Sequence, residues 1–324
     1  MQKKISPYIV WICLICACST GGWAQLFRSP FFKPSDSLDK TRLYSVTGFI
    51  GASYSVFSVG LYHAWYKKQG LSAFHFYNDW KEWSHMDKCG HLYDGYFQSS
   101  YVYDLMRWTG MRQGRSVGAA AAVSMLFLSS LELFDGLSPK WGFSWPDMAA
   151  NSLGVATFAA QQWIWNEQKI LLKFSSFPKS YKDQGWLIQQ RAEELYGSGP
   201  AEKILKDYNA QTYWISFSPS IFKNTASTWW PSFLNLAVGY GADGMYGGYE
   251  NRWTSKEGIE LRLDPHQYPR LKQYYLSLDL DLRKIRTKSS FLNALLRGLT
   301  IFKIPAPAME LNSLGRFKFY PLHY

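Results

Sequence analysis

The chain has 324 residues, enough for a sizeable core in one large domain or two smaller ones. Aromatic residues make up 18% of it, with 15 Trp and 22 Tyr, a content high for a soluble enzyme and suited to a membrane interface. The formal charge of +11 fits attraction to anionic lipid or polymer; nucleic acid is not the expected partner, since no recognition motif occurs and export would remove the target.

Lys3 and Lys4, the apolar run from Tyr8 to Cys18 and the small residues Ser19 to Gly22 follow the order of a secretory signal. Gly22-Trp23-Ala24 places cleavage before Gln25, so residues 1–24 are expected to be removed and the charge to fall to +9. The alternative is lipoprotein processing at Cys18, where Ile15-Cys16-Ala17-Cys18 makes a poor lipobox. Either way the product belongs in the cell envelope, in the periplasm or against the outer membrane. Cleavage at Ala24 leaves Cys89 as the single cysteine, which excludes an internal disulfide and a cysteine-rich zinc site.

After an extended stretch from Phe27 to Ser37, a first helix follows Asp39 and continues to Tyr66. Its centre, Gly48 to Trp65, lacks Asp, Glu, Lys and Arg and fits either a weak membrane span or a buried core helix. A second helix is expected from about Met86 to Trp108. The third, Ser116 to Phe134, is apolar on every side and therefore buried in protein or in lipid. A fourth starts near Ser144 and runs to Leu172, and a solvated charged stretch reaches Lys206.

Beyond Asp207 the period changes to two. Leu234, Leu236, Val238 and Tyr240 alternate with small or polar residues, as do Leu276, Leu278, Leu280 and Leu282, which predicts half-buried strands. Tyr213 to Phe222 and Met309 to Tyr320 predict two more, and Ser290 to Phe302 a helix. Aromatic strand ends resemble outer-membrane strands, but four or five strands cannot close a barrel. A small antiparallel sheet packed on the helices is expected.

The chemistry sits in two segments. On a helix Asp87, His91, Asp94, Gln98 and Tyr101 share one face. Glu132 ends an apolar helix, where a carboxylate is hard to solvate without a partner. Asp135 follows three residues later and serves equally as a turn residue around Gly136. Ser144-Trp145-Pro146-Asp147 has the form of a capping box, which makes Asp147 a cap before a catalyst, with Asn151 one turn deeper. His91, Glu132 and Asp87 are the candidate catalytic groups, and Asp135, Ser144, Asp147 and Asn151 the polar network around them. The set suits a general acid/base pair, an oxygen-rich metal site with one imidazole, or a network that fixes helix packing. No Gly-rich phosphate loop, nucleophile elbow or His-Glu-x-x-His motif occurs, so metal and cofactor stay unassigned.

The ordered series Asp87-Lys88, His91, Glu132, Asp135, Gly142, Ser144-Trp145, Asp147 and Gly154 resembles the YfiM-like family of predicted periplasmic lipoproteins, a domain of unknown function. More distantly it is similar to the VanZ-like membrane proteins. The resemblance covers roughly Phe74 to Trp165 and implies an envelope location and a compact helical unit, without an established reaction. The expected class is α+β, with a signal at 1–24, a helical YfiM-like bundle of about four helices over 25–206 and a strand-rich antiparallel region over 207–324. The expected function is an envelope protein, structural or membrane-associated, that meets a membrane surface or another envelope component. The alternative is an envelope hydrolase acting on lipid or cell-wall material through His91 with Glu132 or Asp87.

Overall fold

The computed structural model describes residues 30–63, 67, 70–222, 230–255 and 258–323. The expected signal at 1–24, with Cys13, Cys16 and Cys18, lies outside the described residues, as do Trp65 and Tyr66 at the expected end of the first helix.

Helix α1, Lys40–Leu61, starts where Asp39 accepts the Arg42 amide at 3.0 Å, the N-cap that supplies an otherwise unsatisfied backbone donor with an acceptor. It is not the core helix that its composition allowed. Val46 is its one buried residue, and Phe49, Val56 and Val59 are exposed. It meets its neighbour through the Tyr54 hydroxyl, which donates to Ser130 at 2.8 Å, and through the Phe57 ring against Phe127.

Helices α2 (Met86–Trp108), α3 (Gln113–Gly136) and α4 (Trp145–Trp165) form the central bundle. Trp83, Ser84 and His85 enter α2 with positive φ of 50°, 54° and 67°, a left-handed turn that costs non-glycine residues conformational energy. It is held by the Trp83 amide on the Gly248 carbonyl and by the Tyr240 hydroxyl on the Ser84 carbonyl. Helices α2 and α4 touch backbone to backbone at two glycines. A Cβ on Gly95 would lie 2.4 Å from the Asn151 carbonyl oxygen, and one on Gly154 2.1 Å from that of Leu92.

Helix α3 is long and apolar enough to cross a membrane by length and composition, yet it is buried along one stripe only. Val117, Ala120, Ser124, Leu128 and Glu132 face inward, while Leu126 and Leu133 are exposed. Tyr93, Tyr96, Tyr103, Val117, Ala120 and Phe158 make the core between the three helices.

The fourth helix stops earlier than expected. Asn166 adopts a left-handed conformation at φ 55°, which ends α4 at Trp165. The Gln161 side chain then takes both the amide and the carbonyl of Ile170, at 2.8 and 2.9 Å, and turns the chain into strand β1, Ile170–Ser176. The charged stretch that follows is not simply solvated. It contains α5 (Trp186–Tyr196), which buries Ile188, Ala192 and Tyr196 on one face, and α6 (Pro200–Lys206).

The remaining strands are β2 (Gln211–Phe217), β3 (Leu234–Asp243), β4 (Arg252–Thr254), β5 (Glu260–Arg262), β6 (Leu271–Leu280), β7 (Ala306–Asn312) and β8 (Phe317–His323), with α7 (Ser290–Leu299) between β6 and β7. The stretch expected as one strand, Met309 to Tyr320, is the hairpin β7–β8, turned at Gly315 with φ 72°. A six-stranded antiparallel sheet runs in the order β1-β2-β3-β6-β7-β8, and β4 pairs with β5 separately. The α+β class expected from the sequence holds.

The period of two is present, but the faces are reversed from those of a sheet in water. Ile215, Val238, Leu276, Leu278, Met309 and Leu311 are exposed. The buried face carries Lys173, Ser216, Asn235, Gln273, Asp279 and Glu310. Lys173 and Asp279 pair at 2.7 Å with both side chains fully buried, Ser216 donates to Asp279 at 2.6 Å, and Gln273 donates to Glu310 at 3.1 Å. The sheet curls around this interior far enough that His323 on β8 meets Trp214 on β2, and the segment through Ile301 and Lys303 covers the free edge of β1.

His323 stacks on Tyr275 at 4.5 Å between ring centroids, and its Nε2 has no hydrogen-bond partner among the described residues. Burial and then the Lys303 cation lower its pKa to about 4. The unfolded state therefore binds the extra proton between about pH 6.5 and 4, and stability falls as pH falls through that window. Urea denaturation of wild type should lose stability there relative to His323→Phe, which keeps the stacked ring without the titration; parallel pH profiles would contradict this.

Candidate functional site

Four carboxylates and two basic side chains meet where α2, α3 and α4 converge. Asp79 comes from the loop before α2, Asp87, Lys88 and His91 from the first turns of α2, Glu132 from the last turns of α3, and Asp147 and Asn151 from the start of α4. Lys88 is 6% exposed and its ammonium lies 2.8 Å from Asp79, 2.8 Å from Asp87 and 2.5 Å from Asp147. A buried ammonium needs such partners, because desolvation would otherwise drive it neutral. Burial works against its charge, and Asp87 and Asp147 outweigh that and raise its pKa.

His91 stands beside this ion cluster. Its Nδ1 is 3.1 Å from Asn151 Oδ1 and 3.7 Å from Glu132 Oε1, and its Nε2 is 3.5 Å from Asp147 Oδ1 and 3.8 Å from Asp87 Oδ1. Burial opposes its charge, but Asp87, Asp147 and Glu132 raise its pKa to about 9. The carboxylates diverge. Burial alone would raise Asp87, but His91 and Lys88 hold it below the ordinary range, and the Tyr208 hydroxyl donates to it at 2.8 Å. Burial and the neighbouring Asp87 raise Asp147 instead. Burial pushes Glu132 up to about 7. Two acids separated in this way beside one imidazole can hold and exchange protons near neutrality, or hold a cation.

Ser144 is the N-cap of α4, as its position suggests, and accepts the Asp147 amide at 3.1 Å. The reciprocal half of the capping box is absent. The Asp147 carboxylate turns to Lys88 and His91, and Glu132 Oε2 accepts the Ser144 amide at 3.3 Å in its place. Ser144 Oγ donates to Asp79 at 2.6 Å. Asp135 lies within the last turn of α3, half-buried, and contributes negative charge toward Glu132. Asp94 continues the His91 face one turn on, raised to about 6 by burial. Cys89 is a thiol pushed up to about 11 by burial and then by Asp87, which makes it inert rather than reactive.

Lys88, Asp79 and Tyr208 were not among the expected site residues. Lys88 is adjacent to Asp87, so helical spacing turns it about 100° from the Asp87–His91 face and gives it the look of a solvated side chain. Asp79 and Tyr208 reach the cluster only through tertiary structure. For Lys88 the one available signal is its place in the Asp-Lys pair of the family series.

Residues 75–162 match the family model described as Predicted periplasmic lipoprotein (DUF2279). The resemblance carried by Asp87-Lys88, His91, Glu132, Asp147 and Gly154 to such lipoproteins therefore holds, and the matched span contains every residue of the cluster except Tyr208. No curated protein and no solved structure matches the chain. Residues 75–162 are thus similar to a family described as predicted periplasmic lipoproteins, which supports an envelope location and assigns no reaction.

Two outcomes follow from the packing. Gly154→Ala drives a Cβ into the Leu92 carbonyl and should cost about 1–3 kcal/mol in chemical denaturation; an unchanged midpoint would mean that α2 and α4 do not touch there. Lys88→Met strands three carboxylates, two of them buried, and should cost about 3–5 kcal/mol. Adding Asp147→Asn to Lys88→Met should recover part of that loss, whereas additive losses would show that the charges are not coupled.

Proposed function

We propose that the protein is a membrane-seated envelope protein, held to a lipid surface by the outer face of its curled sheet and by the exposed flanks of its helices. The observation that supports this reading is the inverted polarity of the sheet. A sheet folded for water buries Leu and exposes Lys, Asp and Glu; here Leu276, Leu278, Met309 and Leu311 are exposed while Lys173, Asp279 and Glu310 are buried. That arrangement is the one found where the solvent is hydrocarbon. Exposed Phe317 and Phe319 on β8 alternate with Arg316 and Lys318, aromatic and basic side chains suited to the headgroup boundary.

The sheet rests on the bilayer instead of crossing it. Six strands left open at β8 cannot satisfy their backbone within hydrocarbon, whereas an apolar face can lie in the interface with its edges in water. Transferring a half-exposed Leu-sized side chain gains about 1 kcal/mol, so six or more together give a binding energy on the order of 6 kcal/mol. Lipid attachment at Cys18, in keeping with the family's description, adds a second signal. The polar cluster is the frame that holds the bundle behind this surface. The hydrolase alternative draws support from the raised pKa values of Glu132 and His91, but the two hydroxyls at the cluster are committed, Ser144 to Asp79 and the α4 cap and Tyr208 to Asp87.

Vesicle flotation of the purified full chain tests the proposal. The protein should float with vesicles containing an anionic phospholipid, less with neutral ones, and Leu276→Glu with Met309→Glu should release it. A monodisperse protein that stays out of the vesicles would overturn the reading, as would a dimer that the double variant dissociates.

A further inference from the structure

The geometry points to a divalent transition-metal site, suited to Zn²⁺ or Mn²⁺, formed by Asp87 Oδ1, His91 Nε2 and Asp147 Oδ1. These donor atoms all lie within 4.8 Å of one another. His91 Nε2 is 3.5 Å from Asp147 Oδ1 and 3.8 Å from Asp87 Oδ1. Donors about 2.1 Å from a tetrahedral ion lie about 3.4 Å apart, so the two edges through His91 need a contraction of a few tenths of an ångström and the Asp87–Asp147 edge at most about 1.4 Å. The inference does not depend on the membrane reading, and either can fail alone.

Three further observations favour an ion. His91 is oriented as metal-ligating histidines are, with Nδ1 at 3.1 Å from the Asn151 amide oxygen and Nε2 facing the two carboxylates, a position that either a proton or a metal ion can occupy. Glu132 supplies an independent sign: it is 1% exposed, its Oε1 has no hydrogen-bond partner among the described residues, and that oxygen points at His91 Nδ1 from 3.7 Å. Finally, Asp79, Asp87, Glu132 and Asp147 stand against Lys88 as the one permanent cation of the cluster. An ion of charge two brings this buried group close to neutrality.

One imidazole with two carboxylates suits zinc or manganese better than calcium, which favours six or more oxygens. Asp87 and His91 retain about a fifth of their side-chain surface, so an ion can enter and water can complete its coordination. The third donor, Asp147, is the more deeply buried. Lys88 holds Asp87 through its other oxygen, Oδ2, and shares Asp147 Oδ1 with the ion.

The experiment is equilibrium dialysis of the chelator-treated full chain against Zn²⁺ and Mn²⁺, with metal analysis. Wild type should retain one ion per chain at micromolar free metal, and Asp87→Asn, His91→Gln and Asp147→Asn should each abolish retention. Asn151→Ala, which removes only the orienting partner, should weaken binding about 10–100-fold. Circular dichroism identifies the variants that fold. If none does, the electron paramagnetic resonance spectrum of the Cu²⁺-loaded wild type decides, since a single imidazole nitrogen should couple to the metal. Absence of stoichiometric binding, equal retention by all folded ligand variants, or an all-oxygen copper spectrum would overturn the site.

Discussion

The pairing of one buried ammonium with three carboxylates sets the geometry of the helical half of this molecule. Lys88 binds the loop through Asp79, its own helix through Asp87 and α4 through Asp147. Such a group has no low-energy alternative arrangement. Displacing any carboxylate leaves a charge in a site that water reaches poorly, and the loss exceeds what most apolar contacts supply. The helix crossing is thereby specified at one end by electrostatics and along its length by glycine. Gly95 and Gly154 let the backbones of α2 and α4 meet, which brings Asn151 within reach of His91. Neither device suffices alone, since close approach without the ion cluster leaves the register free to slide.

How much of this was legible depends on the range of each interaction. Asp39 and Ser144 announce their helices through local backbone chemistry, and both cap as their positions suggest. The α2 and α3 spans and the strand periodicity are likewise readable from short windows. The end of α4 was not, because an uninterrupted helical pattern runs past Trp165; what ends it is a left-handed Asn166 and a Gln161 side chain that captures Ile170. Glu132 and His91 attracted attention for lack of a local explanation, and the structure brings them together with Asp87 and Asn151. Asp147 misled because its sequence context offered a sufficient local role, while its partner Lys88 is distant in sequence and adjacent in space.

The sheet illustrates a different limit. Alternation identifies a strand and the two faces it separates, but assigning the apolar face to the interior assumes that the solvent is water. Here Lys173, Asp279, Ser216 and Asn235 bond to one another inside the curl, and the leucines are left outside. The inversion therefore cannot be undone by shifting the register one residue. Such a slip would expose a buried ion pair and drive Leu276 and Leu278 into a space shaped for hydrogen bonds.

The two halves share one physical strategy, in which buried charge gives specificity and exposed apolar surface is left for something outside the chain. In the bundle, Leu126, Leu133, Leu153 and Ile164 lie outward while Lys88, Glu132, Asp147 and Asn151 lie inward. In the sheet the same division separates Leu276 and Leu278 from Lys173 and Asp279. A hydrophobic core alone would tolerate many packings of such small helices and short strands, whereas paired charges with fixed partners tolerate few. Where the surroundings are apolar, the usual driving force for sequestering leucine is weak, and polar pairing is left to define the interior. The chain's inward charge and outward leucine are thus one consequence of the proposed lipid contact, and the polar cluster at His91 is the place where that inward charge is concentrated enough to bind a cation.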